Sequence, residues 1–147
     1  MKQASETDLF VYGTLRHAVI RRAVLGADLD AASVRLASLP DFTVCKVAGA
    51  SYPMLVAASG QRAEGLLLCG LNRAQIDRLD RFETEDYKRQ ACRVILEDAD
   101  GLQAAAYAYM PAGHLRADGS WDFESWCQDG LARFLAEDFA EDGVRRV

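Results

Sequence analysis

The sequence predicts an α+β fold: a small mixed β-sheet, curled towards a barrel, with helices on its flanks. Three observations lead there. Short apolar runs suited to strands outnumber the helical patterns, and they lack the steady β-α-β alternation of a parallel-sheet fold. Two late runs, Tyr87 to Leu96 and Leu102 to Met110, are joined at Asp98-Ala99-Asp100-Gly101, an ending that suits a hairpin and therefore antiparallel pairing. Glycines 13, 65 and 70 punctuate strand-like runs, where backbones come close and a sheet can bend.

In chain order, Leu9 to Tyr12 reads as a strand and Gly13 as a break that frees the backbone. A helical pattern starts at His17. Val19, Ile20, Ala23 and Val24 share one face, Arg21 and Arg22 face out, and Gly26 is the stop. Ser33 to Leu39 is a strand ended by Pro40-Asp41, and Phe42 to Val47 is another. Met54 to Ala58 resumes extended structure, Ser59-Gly60 is a turn, and Ala63 to Leu71 is a buried strand. Asn72 is a favoured helix N-cap, with Gln75 placed for a capping box. In that helix Ile76, Leu79 and Glu83 are spaced i, i+3, i+7 and lie along one face.

After the hairpin, Pro111 to Ser120 reads as a polar connection. From Asp122 a helical stripe of Phe123, Trp126, Cys127, Leu131, Phe134 and Leu135 should cover an open face of the sheet. Trp121 and Trp126 read as packing. The tail from Glu141 to Val147 is polar and is expected to fray.

At 147 residues, half of them apolar, the chain is expected to form a single domain over residues 1–147. That composition argues against disorder. A net charge of −5 argues against a nucleic-acid partner, and Arg16, Arg21 and Arg22 read as a solvated helix face. Met1 to Asp8 is polar, with no apolar signal core. The longest apolar runs, Gly65 to Leu71 and Ala104 to Ala112, are too short to span a bilayer. A cytoplasmic location with no membrane partner is therefore expected. Cys45, Cys69, Cys92 and Cys127 lie more than twenty residues apart, form no C-x-x-C pair and are distant in sequence from His17 and His114. No metal site is expected, and each cysteine reads as a small buried hydrophobe rather than a disulfide partner.

Two stretches carry chemistry. In Phe10-Val11-Tyr12-Gly13-Thr14-Leu15-Arg16 a strand gives way to a helix start, where backbone N–H groups converge and can hold a carboxylate or phosphate, with the Thr14 hydroxyl beside them. An ordinary turn and N-cap would read the same way. No phosphate-loop pattern is present. In Leu79-Asp80-Arg81-Phe82-Glu83 a carboxylate sits on the apolar stripe near the helix C-terminus. Burial and the helix dipole both disfavour its charge, which suits a group that takes and returns a proton. The other reading has Glu83 turning outward to pair with Arg81, Lys88 or Arg89.

Together these stretches resemble the γ-glutamylcyclotransferase-like family, which includes the AIG2-like proteins. Phe10 to Arg16 is similar to the family's opening motif, and Leu79 to Glu83 followed by Tyr87-Lys88-Arg89 is similar to the segment holding its glutamate. Tyr52-Pro53, Tyr107-Ala108-Tyr109 and Trp121-Asp122-Phe123 with Trp126 look like the AIG2-like branch, in the expected order along nearly the whole chain. The resemblance implies a curled-sheet fold with a cavity, in which Tyr12, Gly13, Thr14 and Leu15 line the site for a γ-glutamyl group and Glu83 is the acid/base. One departure stands out: relatives often have glycine directly after the glutamate, whereas Thr84-Glu85-Asp86 follows here. The loop shape and the preferred leaving group are left open by it.

The implied activity is a γ-glutamyl cyclotransferase. The substrate's own α-amine attacks its γ-carbonyl, giving 5-oxoproline and releasing an amine or amino acid. No metal, cofactor or enzymic nucleophile is required. Holding the substrate folded can contribute about 7–11 kcal/mol in favourable cases. Tyr87 and Tyr109 are expected at the substrate, as walls or oxyanion donors; tyrosines satisfied by backbone would read alike. The alternative is a non-catalytic domain that keeps the cavity and binds small amino-acid-like anions. The leaving amine and the oligomeric state are not legible in the residues.

Overall fold

The computed structural model describes residues 6–138. Its sheet has six strands: β1 (Thr7–Val11), β2 (Val34–Val47), β3 (Pro53–Leu71), β4 (Tyr87–Leu96), β5 (Leu102–Pro111) and β6 (Ala117–Ser120). They run in the order β3-β1-β5-β4-β2-β6, and β2 also pairs with β3. β1 is antiparallel to β3 and parallel to β5, through Leu9↔Tyr107 and Phe10↔Ala108, so the sheet is mixed. The sheet curls because β2 reaches both β3 and β4. The β2–β4 ladder spans only Ala37↔Leu96 and Ser38↔Ile95, so the curl stops short of a true barrel.

Strand alternation divides the core in two. Phe10 and Tyr12 point inside the curl, with Ala37, Leu55, Leu67 and Val94. Leu9 and Val11 point outward, where the helices cover them with Ile20, Val24, Leu79, Phe82, Trp126 and Phe134. Gly65 of β3 lies where a Cβ would overlap the Val11 carbonyl oxygen and crowd the Phe10 ring. Only glycine lets β3 pass that close to β1.

The helices are α1 (Ala18–Leu25), α2 (Arg73–Glu83), α3 (Phe123–Asp129) and the short α4 (Leu131–Arg133). The predicted capping box on α2 is present: the Gln75 N–H donates to Asn72 Oδ1 at 2.8 Å, and the Asn72 N–H donates to Gln75 Oε1 at 2.9 Å. α3 starts where Asp122 Oδ2 accepts from the Ser125 N–H. Arg78 of α2 donates to the Val24 carbonyl at 2.5 Å, tying α2 to the end of α1.

Several elements differ from the sequence reading. The strand pairs expected on either side of Pro40-Asp41 and Ser59-Gly60 are continuous long strands. The register shifts after Pro40, where Asp41 and Gly60 take left-handed φ values of 66° and 82° and the Gly60 N–H donates to Asp41 Oδ1. The turn signals mark a bulge, not chain reversals. The expected polar connection includes β6, whose four residues are all exposed and which pairs along the β2 edge. Val19, expected on the buried face of α1, is 64 % exposed, while Leu25 is buried in its place. The long C-terminal stripe is broken at Gly130, and a π-helical turn, Phe134–Asp138, follows α4. The four cysteines are free and half-buried rather than fully enclosed. The expectation for Glu141 to Val147 lies outside the described residues.

Candidate active site

After β1 the chain enters a 3-10 turn, Thr14–Arg16, that precedes α1. Its hydrogen bonds begin with the Arg16 N–H to the Gly13 carbonyl and the His17 N–H to the Thr14 carbonyl, both 3.0 Å. The N–H groups of Gly13, Thr14 and Leu15 come ahead of those first bonds. Arg21, expected in solvent, instead donates from Nη1 to the carbonyls of Leu15 (3.1 Å) and Arg16 (3.0 Å) and fastens the end of the turn. Gly13 has φ −126°, so left-handed freedom is not its role. A Cβ there would stand 2.6 Å from Pro53 Cγ. Glycine is needed because Pro53 presses on the turn.

Glu83 is the last residue of α2 and is only 8 % exposed. It lines one small cavity together with Tyr12, Gly13, Thr14, Leu15, Tyr87 and Tyr109. All seven residues singled out in the sequence therefore meet there, although α2 and the first turn are separated in sequence by all of α1, β2 and β3. Tyr52 and Pro53 also line the cavity. They figured in the family resemblance but not among the expected site residues. The space measures about 30 Å³, room for about two waters.

The hydroxyls of Tyr12, Tyr87 and Tyr109 have acceptors within the protein. Tyr12 donates to the Tyr109 carbonyl at 2.7 Å, and Tyr87 donates to the Pro53 carbonyl at 2.6 Å. Tyr109 donates to Asp80 Oδ1 at 2.7 Å. Asp80, one helical turn before Glu83, also receives Arg89 in a two-pronged pair of 3.0 and 3.1 Å. Burial works to raise the Asp80 pKa, but the hydrogen bonds from Arg89 and Tyr109 outweigh it and hold this carboxyl below its ordinary value. Burial, the bond to Asp80 and the nearby charge of Glu83 push the Tyr109 phenol well above its ordinary range, so it remains a donor.

Sequence reasoning missed Asp80 and Arg89 as a unit. Asp80 was visible one turn from Glu83, but its partners come from β4 and β5, and nothing local announces a pairing of that kind. Among the described residues no group of three or more His, Cys, Asp or Glu side chains is arranged to hold a metal ion. No helix there is long and apolar enough to cross a membrane.

A family model described as Gamma-glutamyl cyclotransferase, AIG2-like, matches residues 9–126, the span that contains the whole cavity. The chain belongs to this family. Among its AIG2-like relatives, AIG2-like protein D of Arabidopsis thaliana is 33 % identical over 138 residues, covering 91 % of this chain and 89 % of the relative. AIG2-like protein C of the same plant is 30 % identical over 129 residues, covering 87 % and 73 %. The fold is shared with the solution structure of an Arabidopsis thaliana protein, at a TM-score of 0.70 and 23 % identity, over 92 % of this chain and 81 % of the other. It is shared as well with a structure named gamma-glutamyl cyclotransferase, at a TM-score of 0.61 and 15 % identity, over 86 % and 81 %.

Proposed function

We propose that this AIG2-like chain is a γ-glutamyl cyclotransferase that converts a γ-glutamyl amide into 5-oxoproline and a free amine, with Glu83 as general acid/base. The observation that carries the reading is the position of Glu83: a buried carboxylate at the end of α2, opening into the same cavity as the Tyr12–Leu15 turn.

The N–H groups at Gly13, Thr14 and Leu15, with the Thr14 hydroxyl, suit the substrate's α-carboxylate. Tyr87 and Tyr109 form walls, because their hydroxyl protons already serve Pro53 and Asp80. The α-nitrogen attacks the γ-carbonyl carbon, and a carbon–nitrogen bond closes a five-membered ring. Glu83 takes a proton from the attacking nitrogen and returns it to the leaving nitrogen as the original amide bond breaks. Atoms balance within the substrate, and the carboxylate is regenerated. The chemistry calls on no cofactor, and one domain with a small γ-glutamyl compound as partner is sufficient for it.

The test is 5-oxoproline release from a panel of γ-glutamyl amides. Glu83→Gln keeps the shape and removes the proton carrier, so turnover should fall by about 10²–10⁴-fold while the protein stays folded. Full activity in that variant overturns the assignment. Saturable binding without product would favour the non-catalytic alternative.

A further inference from the structure

A second cavity, about 610 Å³, shares only Tyr12 with the first. Small-molecule sites span about 300–1,000 Å³, so its size suits such a ligand. Leu36, Ser38 and Glu64 form its floor. β2 and β3 pair through Leu36↔Leu66 and Ser38↔Glu64, and Val11 pairs with Leu66, so alternation sets these three side chains on the outward face with Val11. Arg16 of the first turn, with Trp121 and Phe123 at the start of α3, lines the space from outside the sheet. We propose that this cavity binds a free α-amino acid with an apolar side chain, its carboxylate on Arg16 and its ammonium group on Glu64. The inference does not depend on the cyclotransferase reading.

Arg16, expected on a solvated helix face, is half-buried. Its guanidinium carbon lies 4.4 Å from the centroid of the Phe123 ring. Its Nε is buried and has no hydrogen-bond partner. Burial pulls the Arg16 pKa below its ordinary value, and the attraction of Glu64, Asp122 and the weaker charges around it does not offset that. A guanidinium stays protonated all the same, so this one calls for an acceptor that the described residues do not supply. Among those residues neither the Arg16 guanidinium nor the Glu64 carboxylate makes an ion pair or a hydrogen bond. Glu64 is the strongest of the charges acting on Arg16, yet the two are not in contact. They are spaced for a ligand between them.

The other charges at this cavity are engaged. Arg62 stands 3.6 Å from Glu97, which also accepts from the Ser38 hydroxyl at 2.5 Å. Asp122 caps α3 by accepting from the Ser125 N–H. What is left is one cation and one anion, and that selects the ligand. A phosphate or a dicarboxylate would meet Glu64, Glu97 and Asp122 and be repelled. A simple amine would leave Arg16 bare. A zwitterion satisfies both groups. Leu36 is 60 % exposed on the floor, and the Trp121 and Phe123 rings stand 6.2 Å apart on the wall, so an apolar side chain has a surface to cover. Arg16 also closes the Thr14–Arg16 turn through its N–H to the Gly13 carbonyl. The occupant is therefore anchored on the same turn that lines the first cavity.

The experiment is calorimetric titration of the full chain with leucine, glycine, leucinamide and 4-methylpentanoate. Glycine lacks the apolar side chain, leucinamide the carboxylate and 4-methylpentanoate the ammonium group. Leucine should bind saturably, and each of the other three about tenfold more weakly. Arg16→Gln should weaken leucine about tenfold and abolish its advantage over leucinamide. Glu64→Gln should abolish the advantage of leucine over 4-methylpentanoate. Glu64 is exposed, so this second variant keeps the test decisive if loss of Arg16 unfolds the chain. Glu83→Gln should bind leucine as the wild type does; loss of binding there would place the ligand in the first cavity and overturn the proposal. Absence of saturable leucine binding in the wild type overturns it too, as does an unchanged preference in a folded Arg16 or Glu64 variant. None of these outcomes touches the cyclotransferase reading, which 5-oxoproline release tests separately.

Discussion

Pro53 packs onto Gly13 so closely that a methyl group on that glycine would lie 2.6 Å from the proline Cγ and 3.0 Å from its Cδ. One contact thus sets the spacing between the first turn and the start of β3, and both line the cavity that holds Glu83. Gly13→Ala should force the two apart. Overpacking of this kind costs about 1–3 kcal/mol, so a lowered melting temperature together with a weakened KM is expected. Wild-type stability and kinetics in that variant would show that the contact yields freely.

Asp80 gives a pH prediction. Its folded-state pKa lies below the unfolded value of 3.8, so its contribution to stability is present above that pH and is lost as pH falls through the folded value. Asp80→Asn should remove that acid-side loss and flatten the stability curve below about pH 4. At neutral pH the cost of losing the ion pair should stay within about 1 kcal/mol, since both side chains are partly exposed. Urea unfolding across the acid range would check both parts.

The capping box on α2 anchors the helix that carries Glu83. Asn72→Ala removes the acceptor of the Gln75 N–H and should cost about 1 kcal/mol, with Asn72→Asp largely restoring it. Thermal unfolding of the two variants measures the difference.

Burial pushes the Cys92 thiol up to about 11. At pH 8 only about one thiol in a thousand is then ionised, so Cys92 should resist alkylation in the folded protein. Peptide mapping after brief iodoacetamide treatment would detect it, and full labelling of Cys92 within minutes would contradict the burial.

How much the residues disclose depends on the range of each interaction. The Asn72 cap and the α2 stripe were legible because their partners lie three or four positions away. The Asp98–Gly101 hairpin was legible because Asp100 and Gly101 take the left-handed φ values, 52° and 80°, that such a turn requires. Tyr12 to Leu15 and Glu83 stood out through motif, and the cavity gathers them. The continuity of β2 and β3 was hidden because a bulge at Asp41 and Gly60 uses the same residue types as a reversal. β6 gave no sign because exposed residues at a sheet edge pair through backbone alone. Arg21 looked like a solvated charge, yet its partners are two carbonyls of the preceding turn. The break in the C-terminal stripe follows from Gly130, where a Cβ would stand 2.6 Å from the Trp126 ring. A helical periodicity does not report such a contact.

The parallel pairing of β1 with β5 also governs the order of assembly. Tyr12 reaches its acceptor on Tyr109 across 97 positions of chain. On a ribosome β1 is made before β3 and β5 and must wait for both before it has its two neighbours. Such distant closure is slow. During the wait Leu9, Phe10 and Val11 have no partner on the β5 side and are open to association with other nascent chains. Low-temperature expression or a holdase chaperone should therefore raise soluble yield more than any change made at the cavity that Glu83 lines.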